Sequence, residues 1–169
     1  IKRAFGIHPA AADAASLRAQ LDALGCLLDQ EDVAAIGELG LDRRAGMPPI
    51  EVQLPTMRAQ LALARERELP IIVHGVHAVG LILAELSHIK QLPAGGIWHG
   101  FTGPAEILPQ LAHLNLSVSL GSLVTHPKAS RCHRVARTVE LGQLVVESDC
   151  PDHPTAQSDR ASMCSAARD

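Results

Sequence analysis

Short apolar runs recur along the chain, and each is followed by a polar or glycine-containing turn. Five of these runs occupy residues 35–37, 70–73, 96–98, 116–120 and 144–146. Runs of this length and composition are typical of strands that are buried on both faces. A further strand is predicted at residues 3–7, before the dipeptide His8-Pro9.

Between these strands, apolar residues repeat at the spacing of amphipathic helices. The clearest series are Leu17, Leu21, Leu24 and Leu28, then Met57, Leu61 and Ala64, and then Val79, Ile82, Leu83 and Leu86. A further helix is predicted to begin near Pro104, although Pro109 interrupts its middle. A last helix is predicted between residues 129 and 141.

The regular alternation of strand and helix predicts an α/β fold with a parallel sheet, because parallel neighbours need helical crossovers. An open doubly wound sheet and a closed barrel both fit this pattern. We expect a single domain over residues 1–169, in which residues 151–169 lose the apolar periodicity and form a loop or tail. The 169 residues fall short of the roughly 250 of an eight-stranded barrel.

Composition narrows the class of protein. A formal net charge of −3 gives no general attraction to nucleic acid or to an anionic membrane, so DNA binding requires a local site. No apolar run approaches the roughly 18 residues of a membrane span. The four cysteines form no CxxC pair, which favours reduced thiols and a cytoplasmic location. The chain starts at Ile1 rather than at Met, and we interpret this as the sign of a fragment.

Metal-capable side chains stand at the carboxyl ends of four of the predicted strands. They are Glu38, His74, His99 and Asp149. The loops after parallel strands build the active site in α/β folds, so these four side chains are expected to converge. The strand at residues 116–120 carries no such residue, and this accounts for the longer gap between His99 and Asp149.

Imidazoles and carboxylates are ordinary ligands of Zn²⁺ and Mn²⁺, and a carboxylate such as Glu38 can bridge two ions. Any one histidine after an apolar strand is more often a hydrogen-bonded structural residue. Four metal-capable groups at the same end of successive strands favour a hydrolytic metal centre instead. Such a centre activates water and polarises a scissile ester or phosphodiester.

Five motifs carry a resemblance to a known family. They are GIHP at residues 6–9, IGELGLD at 36–42, LPIIVH at 69–74, HGFTG at 99–103 and ESDCP at 147–151. In this order they resemble the TatD-like family of metal-dependent deoxyribonucleases. The resemblance implies a (β/α)₈ TIM-type barrel of the amidohydrolase kind, of which about six β-α units are present. It also implies one or two divalent ions (Zn, Mn or Mg), metal ligation by Glu38, His74, His99 and Asp149, and hydrolysis of DNA phosphodiesters, often from the 3′ end.

The chain departs from the family pattern in several places. The family opens with an H-x-H pair on its first strand, and no such pair precedes Ile1. We therefore expect that strand and its ligands, and the family's C-terminal helix, to be absent. Gly75-Val76-His77 replaces the usual Ser-Arg after the strand-end histidine, and Arg43 replaces an aromatic residue, so substrate contacts are expected to differ.

Other residues are candidates for substrate binding. His8, in the GIHP turn, is expected near the mouth of the barrel, where it either binds substrate or caps a loop. Lys128 and Arg131 follow the ligand-free strand and are candidates for holding a phosphate, although charged residues at a helix start are usually only solvated. The same two interpretations apply to Arg43 and Arg44.

Three functions remain open at this point. The first is a deoxyribonuclease that uses a metal-activated water, with Glu38 or Asp149 assisting proton transfer. The second keeps the metal but hydrolyses a small ester or amide. The third is an inactive remnant that acts as a scaffold. We also expect unpaired sheet edges to promote self-association of the chain, and we identify no obligate protein partner.

Overall fold

Six parallel strands form one sheet in the computed structural model, which describes residues 2–30, 32–89, 92 and 94–149. The strands pair strictly in chain order. Their bounds are β1 Arg3–Phe5, β2 Val33–Asp42, β3 Ile71–Val76, β4 Gly96–Trp98, β5 Leu116–Leu120 and β6 Leu144–Val146. A parallel sheet in sequential order with helical crossovers is the arrangement of a (β/α)₈ barrel. The predicted fold class, an incomplete barrel of about six β-α units, is confirmed.

A helix lies between each pair of neighbouring strands. The helices are α1 Leu17–Leu28, α2 Ile50–Glu66, α3 Val79–Ser87, α4 Leu108–His113 and α5 Ser130–Thr138. Their buried apolar residues include members of the predicted series, for example Met57, Leu61 and Ala64 on α2. These side chains pack on the sheet around Ile36, Leu39 and other strand residues that solvent does not reach. The helices therefore cover the sheet with the faces that the sequence pattern predicts.

The helix predicted from Pro104 differs in detail. A 3₁₀ turn at Ala105–Ile107 comes first, and α4 begins only at Leu108. Pro109 thus stands in the first turn of an α-helix, where its missing N–H costs no hydrogen bond. The last predicted helix is also shorter than residues 129–141, because α5 ends at Thr138 and Leu141–Gln143 form a separate 3₁₀ turn.

The strands also differ from their predicted bounds. The first is shorter, and β2 and β3 continue beyond the apolar runs to Asp42 and Val76, so that Glu38 and His74 lie within strands rather than after them. The register of β2 against β3 shifts between Gly37 and Leu39. The tail predicted at residues 151–169 lies outside the described residues.

The close approach of β2 and β3 near the site depends on Gly40. This residue is the register partner of His74 and has a φ of +146°. A Cβ at Gly40 would overlap the backbone oxygen of His74. A residue without a side chain is therefore required at position 40 for β2 and β3, which carry Glu38 and His74, to pair at this point.

None of the helices in the described part of the chain combines the length and apolar character needed to span a bilayer.

Candidate metal centre

The predicted ligands meet at the carboxyl edge of the sheet. Glu38 and His74 belong to β2 and β3, His99 directly follows β4, and Asp149 lies three residues after β6. All four line one cavity of about 730 Å³, and His8, three residues after β1, lines it as well. The strand order therefore brings together side chains that are more than 140 residues apart in the sequence.

Glu38 stands at the centre of this cluster. Its Oε2 lies 3.4 Å from Nδ1 of His74 and 3.9 Å from Nε2 of His8. Its Oε1 lies 3.7 Å from Nε2 of His99, which in turn is 3.6 Å from Oδ1 of Asp149. The neighbouring imidazoles of His74 and His99 lower the pKa of Glu38 against the opposing effect of burial. The carboxylate is therefore ionised at neutral pH and faces imidazoles on both sides.

A buried carboxylate fixes the orientation of His74. Oδ2 of Asp42 lies 3.0 Å from Nε2 of His74, and the Asp42 side chain is fully buried. Burial would raise the pKa of Asp42, but hydrogen bonds from the side chain and backbone of Arg44 and from His74 hold it well below its usual range. An ionised carboxylate only accepts, so Nε2 of His74 donates and Nδ1 presents its lone pair toward Glu38.

His99 is oriented in the same way through the opposite nitrogen. Its Nδ1 lies 2.8 Å from Oε2 of Glu147, and Oε1 of Glu147 accepts a hydrogen bond of 2.8 Å from the backbone N–H of Gly100. The hydrogen bond with Glu147 raises the pKa of His99 to about 9, although burial opposes it. Nε2 of His99 is thereby left to face Glu38 and Asp149.

His8 has a structural role and also borders the cavity. Its Nδ1 accepts a hydrogen bond of 3.1 Å from the backbone N–H of Ala10 and so caps a 3₁₀ turn at Pro9–Ala11. Burial and the neighbouring His74 lower the pKa of His8. In the neutral ring that results, Nδ1 is the acceptor and Nε2 carries the proton. With this tautomer, the protonated Nε2 of His8 is the nitrogen that lies 3.9 Å from Oε2 of Glu38.

The donor set fits a divalent cation. Two imidazoles, each backed by an outer carboxylate, and two carboxylates surround the same space, which is the usual composition of a hydrolytic metal site. The ligand atoms of His8, Glu38 and His74 all lie within 4.8 Å of one another. His8 can join the ligands only as the other tautomer, which would give up its hydrogen bond with Ala10.

The basic residues predicted to hold phosphate lie elsewhere. Lys128 and Arg131 are exposed and are not among the described residues that line the cavity, whereas Arg44 is. The roles assigned to Lys128 and Arg131 therefore stay predictions. The sequence interpretation gave no role to Asp42 or Glu147, although both occur in the matched motifs. A signal was available, because both carboxylates lie within four residues of a predicted ligand.

A parallel sheet that gathers histidines and carboxylates at its carboxyl edge is characteristic of the metal-dependent hydrolases built on barrel folds. The family model described as TatD related DNase matches residues 1–167. The chain belongs to this family.

Curated relatives support the same assignment. An uncharacterized metal-dependent hydrolase of Bacillus subtilis, YabD, is 37% identical over 121 residues, which are 72% of this chain and 48% of the relative. A 3'-5' ssDNA/RNA exonuclease TatD of a Pantoea species is 30% identical over 94% of this chain and 64% of its own length. The chain thus spans about half to two thirds of these relatives.

Solved structures agree with the fold. The crystal structure of YjjV, a TatD homolog from Escherichia coli, has a TM-score of 0.79 and 30% sequence identity, and the match covers 89% of this chain and 58% of that one. A TatD family hydrolase from Entamoeba histolytica matches with a TM-score of 0.70 at 23% identity, over 86% of this chain and 50% of that chain.

Proposed function

We propose that this protein is a divalent-metal-dependent deoxyribonuclease that hydrolyses DNA phosphodiester bonds. The observation that carries the proposal is the central position of Glu38, which lies between His74 on one side and His99 on the other at an open cavity. The name of the Pantoea relative, an exonuclease of single-stranded DNA and RNA, supports a nucleic-acid substrate. We assign the metal site to Glu38, His74, His99 and Asp149, with one or two ions of Zn²⁺, Mn²⁺ or Mg²⁺.

The roles of the residues follow from their surroundings. A bound divalent ion would lower the pKa of water and offset the charge that develops on the phosphate. Glu38 is ionised and half-buried and faces an imidazole with each of its oxygens, so it would help to hold the cation or accept a proton from the attacking water. Asp149, which is more exposed than His99, is the second candidate for proton transfer. Nε2–H of His8 donates a hydrogen bond to the substrate.

The test combines metal addition with matched histidine variants. The purified protein is incubated with 3′-labelled single-stranded and duplex DNA in the presence of Mn²⁺, Mg²⁺ or Zn²⁺. We expect cleavage that EDTA abolishes and that His99→Ala reduces by at least about 100-fold, the order of loss for an essential catalytic or ligand group. His88→Ala is the control, because His88 is an exposed residue at the end of α3 that does not line the cavity.

The outcomes separate the alternatives. The absence of metal-dependent DNA cleavage would reject the nuclease proposal. Cleavage of p-nitrophenyl esters or amides without cleavage of DNA would favour the small-substrate hydrolase. Metal binding without hydrolysis of any substrate would favour the scaffold. A cytoplasmic location remains part of the proposal and is tested separately by fractionation.

A further inference from the structure

Among the described residues that line the cavity, Arg44 is the single arginine, and none is a lysine. The other charged groups that border the cavity include the carboxylates Glu38, Glu147 and Asp149. A phosphodiester that enters this space therefore meets negative charge on several sides. In addition to the ions of the proposed site, a cationic side chain at the cavity would favour binding of the phosphate.

The guanidinium of Arg44 is held from one edge. Its Nε donates to Oδ2 of Asp42 at 2.9 Å, and its Nη2 donates to the same carboxylate. Nη1 has no hydrogen-bond partner among the described residues, and the side chain is 51% exposed. Asp42 in turn is buried and holds His74. The arrangement fixes the plane of the guanidinium and leaves one edge available to an anion.

We propose that Arg44 is a substrate-binding residue whose free Nη1 edge contacts a non-bridging oxygen of the phosphate, while Asp42 keeps the guanidinium in place. This inference rests on the proposed function for the identity of the substrate. The contact differs from a simple surface charge, because Asp42 is shared by the arginine and by a metal-binding imidazole.

Arg43 provides a matched control in the adjacent position. It carries the same charge, but it does not line the cavity, and its side-chain contact is a hydrogen bond of 3.4 Å from Nη1 to the backbone oxygen of His77. Replacement of either arginine by glutamine removes one positive charge from the same short loop. A difference in phosphate affinity between the two variants is therefore caused by the position of the arginine and not by the net charge.

The experiment measures binding of inorganic phosphate by calorimetry to the full chain saturated with Mn²⁺, together with the Mn²⁺ affinity of each variant. We expect Arg44→Gln to weaken phosphate binding by about 10-fold or more, as for loss of a hydrogen bond between charged groups. Arg43→Gln is expected to change it by less than about twofold. If the parent cleaves bis(p-nitrophenyl) phosphate, Arg44→Gln should raise KM more than it lowers kcat.

The outcomes decide the inference independently of the proposed nuclease. Phosphate binding that depends on Arg44 supports the inference even if the parent cleaves no DNA. Equal phosphate affinity in Arg44→Gln and the parent overturns it, as does a parent that binds no phosphate. A loss of Mn²⁺ affinity alone would show that Arg44 only positions Asp42, and this also overturns it. If Arg44→Gln does not fold, Arg44→Lys decides, because lysine keeps the charge beside Asp42 but lacks the second edge.

Discussion

At the scale of single residues, two carboxylates that the proposed ion would not contact decide which nitrogen each histidine offers. Asp42 engages Nε2 of His74, and Glu147 engages Nδ1 of His99. The remaining nitrogens, Nδ1 of His74 and Nε2 of His99, then face the two oxygens of Glu38. Outer carboxylates of this kind usually strengthen metal binding by about 10- to 100-fold.

Glu147 also makes the stability of the metal-free protein depend on pH. It raises the pKa of His99 from 6.5 to about 9, so the charged imidazole stabilises the folded state fully below pH 6.5. This contribution is lost as the pH rises through 9, and it cannot exceed about 3 kcal/mol for such a shift. We expect the free energy of unfolding, measured with urea and EDTA, to fall between pH 6.5 and 9. The fall should be much smaller in Glu147→Gln.

The control for this pH dependence is Glu140→Gln, which removes an exposed carboxylate near α5. It should retain the full pH dependence of the parent. A parallel decline in all three proteins would mean that groups other than the pair of His99 and Glu147 cause it.

Sequence patterns predicted the ligand candidates because strand ends are visible as the ends of apolar runs. His99 follows the last residue of β4, as expected from the run at residues 96–98. The roles of Asp42 and Glu147 were not predicted, because they depend on hydrogen bonds between side chains of different strands. Arg44 was a candidate for holding phosphate, but the sequence did not separate it from Arg43, because its pairing with Asp42 forms within a turn. Apolar periodicity contains no information on which nitrogen of a ring is engaged.

At the scale of secondary structure elements, α2 holds two backbone segments of the site in place. Gln60 is fully buried, accepts a hydrogen bond of 2.7 Å from the N–H of Ile7 and donates one of 3.0 Å to its oxygen. Gln53 makes the equivalent pair with the backbone of Asp42, at 2.8 Å each. The helix thus fixes the residue before His8 and the carboxylate behind His74.

We expect Gln60→Leu to destabilise the protein by about 2–6 kcal/mol, because the N–H and C=O of Ile7 lose their buried partners and each costs about 1–3 kcal/mol. Urea denaturation measures the change. Gln110→Leu is the control, since Gln110 is exposed on α4. If Gln60→Leu lowers the free energy of unfolding no more than the control does, the two hydrogen bonds between Gln60 and Ile7 contribute nothing to stability.

The same elements show what apolar patterns can and cannot predict. The helices were found from their buried faces, since Leu24 and Leu28 on α1 and Ile82 and Leu86 on α3 repeat at helical spacing. The extension of β2 to Asp42 was missed, because glycines and charged residues interrupt its apolar run while backbone pairing with β3 continues. Such pairing depends on the neighbouring strand and not on the local sequence.

At the scale of the whole molecule, the sheet ends at β1 and β6. Within the described residues, β1 pairs only with β2, and β6 pairs only with β5. Two large apolar side chains near β6 are strongly exposed, Val146 at 79% and Leu141 at 88%. Exposed strand edges with apolar neighbours are sites of association with other chains.

We therefore expect the isolated 169-residue chain to self-associate with increasing concentration in analytical ultracentrifugation. Val146→Lys should weaken this association by about 10-fold or more, because an ammonium buried at the contact without a partner costs several kcal/mol. Leu27→Lys is the matched control, since Leu27 is exposed at 38% on α1 and lies on a helix rather than at a sheet edge. A compact monomer at every concentration, or equal weakening by both variants, would show that the β6 edge does not mediate contact between copies. Association that Val146→Lys selectively prevents would instead place the contact at the edge of β6, the strand that leads to Glu147 and Asp149.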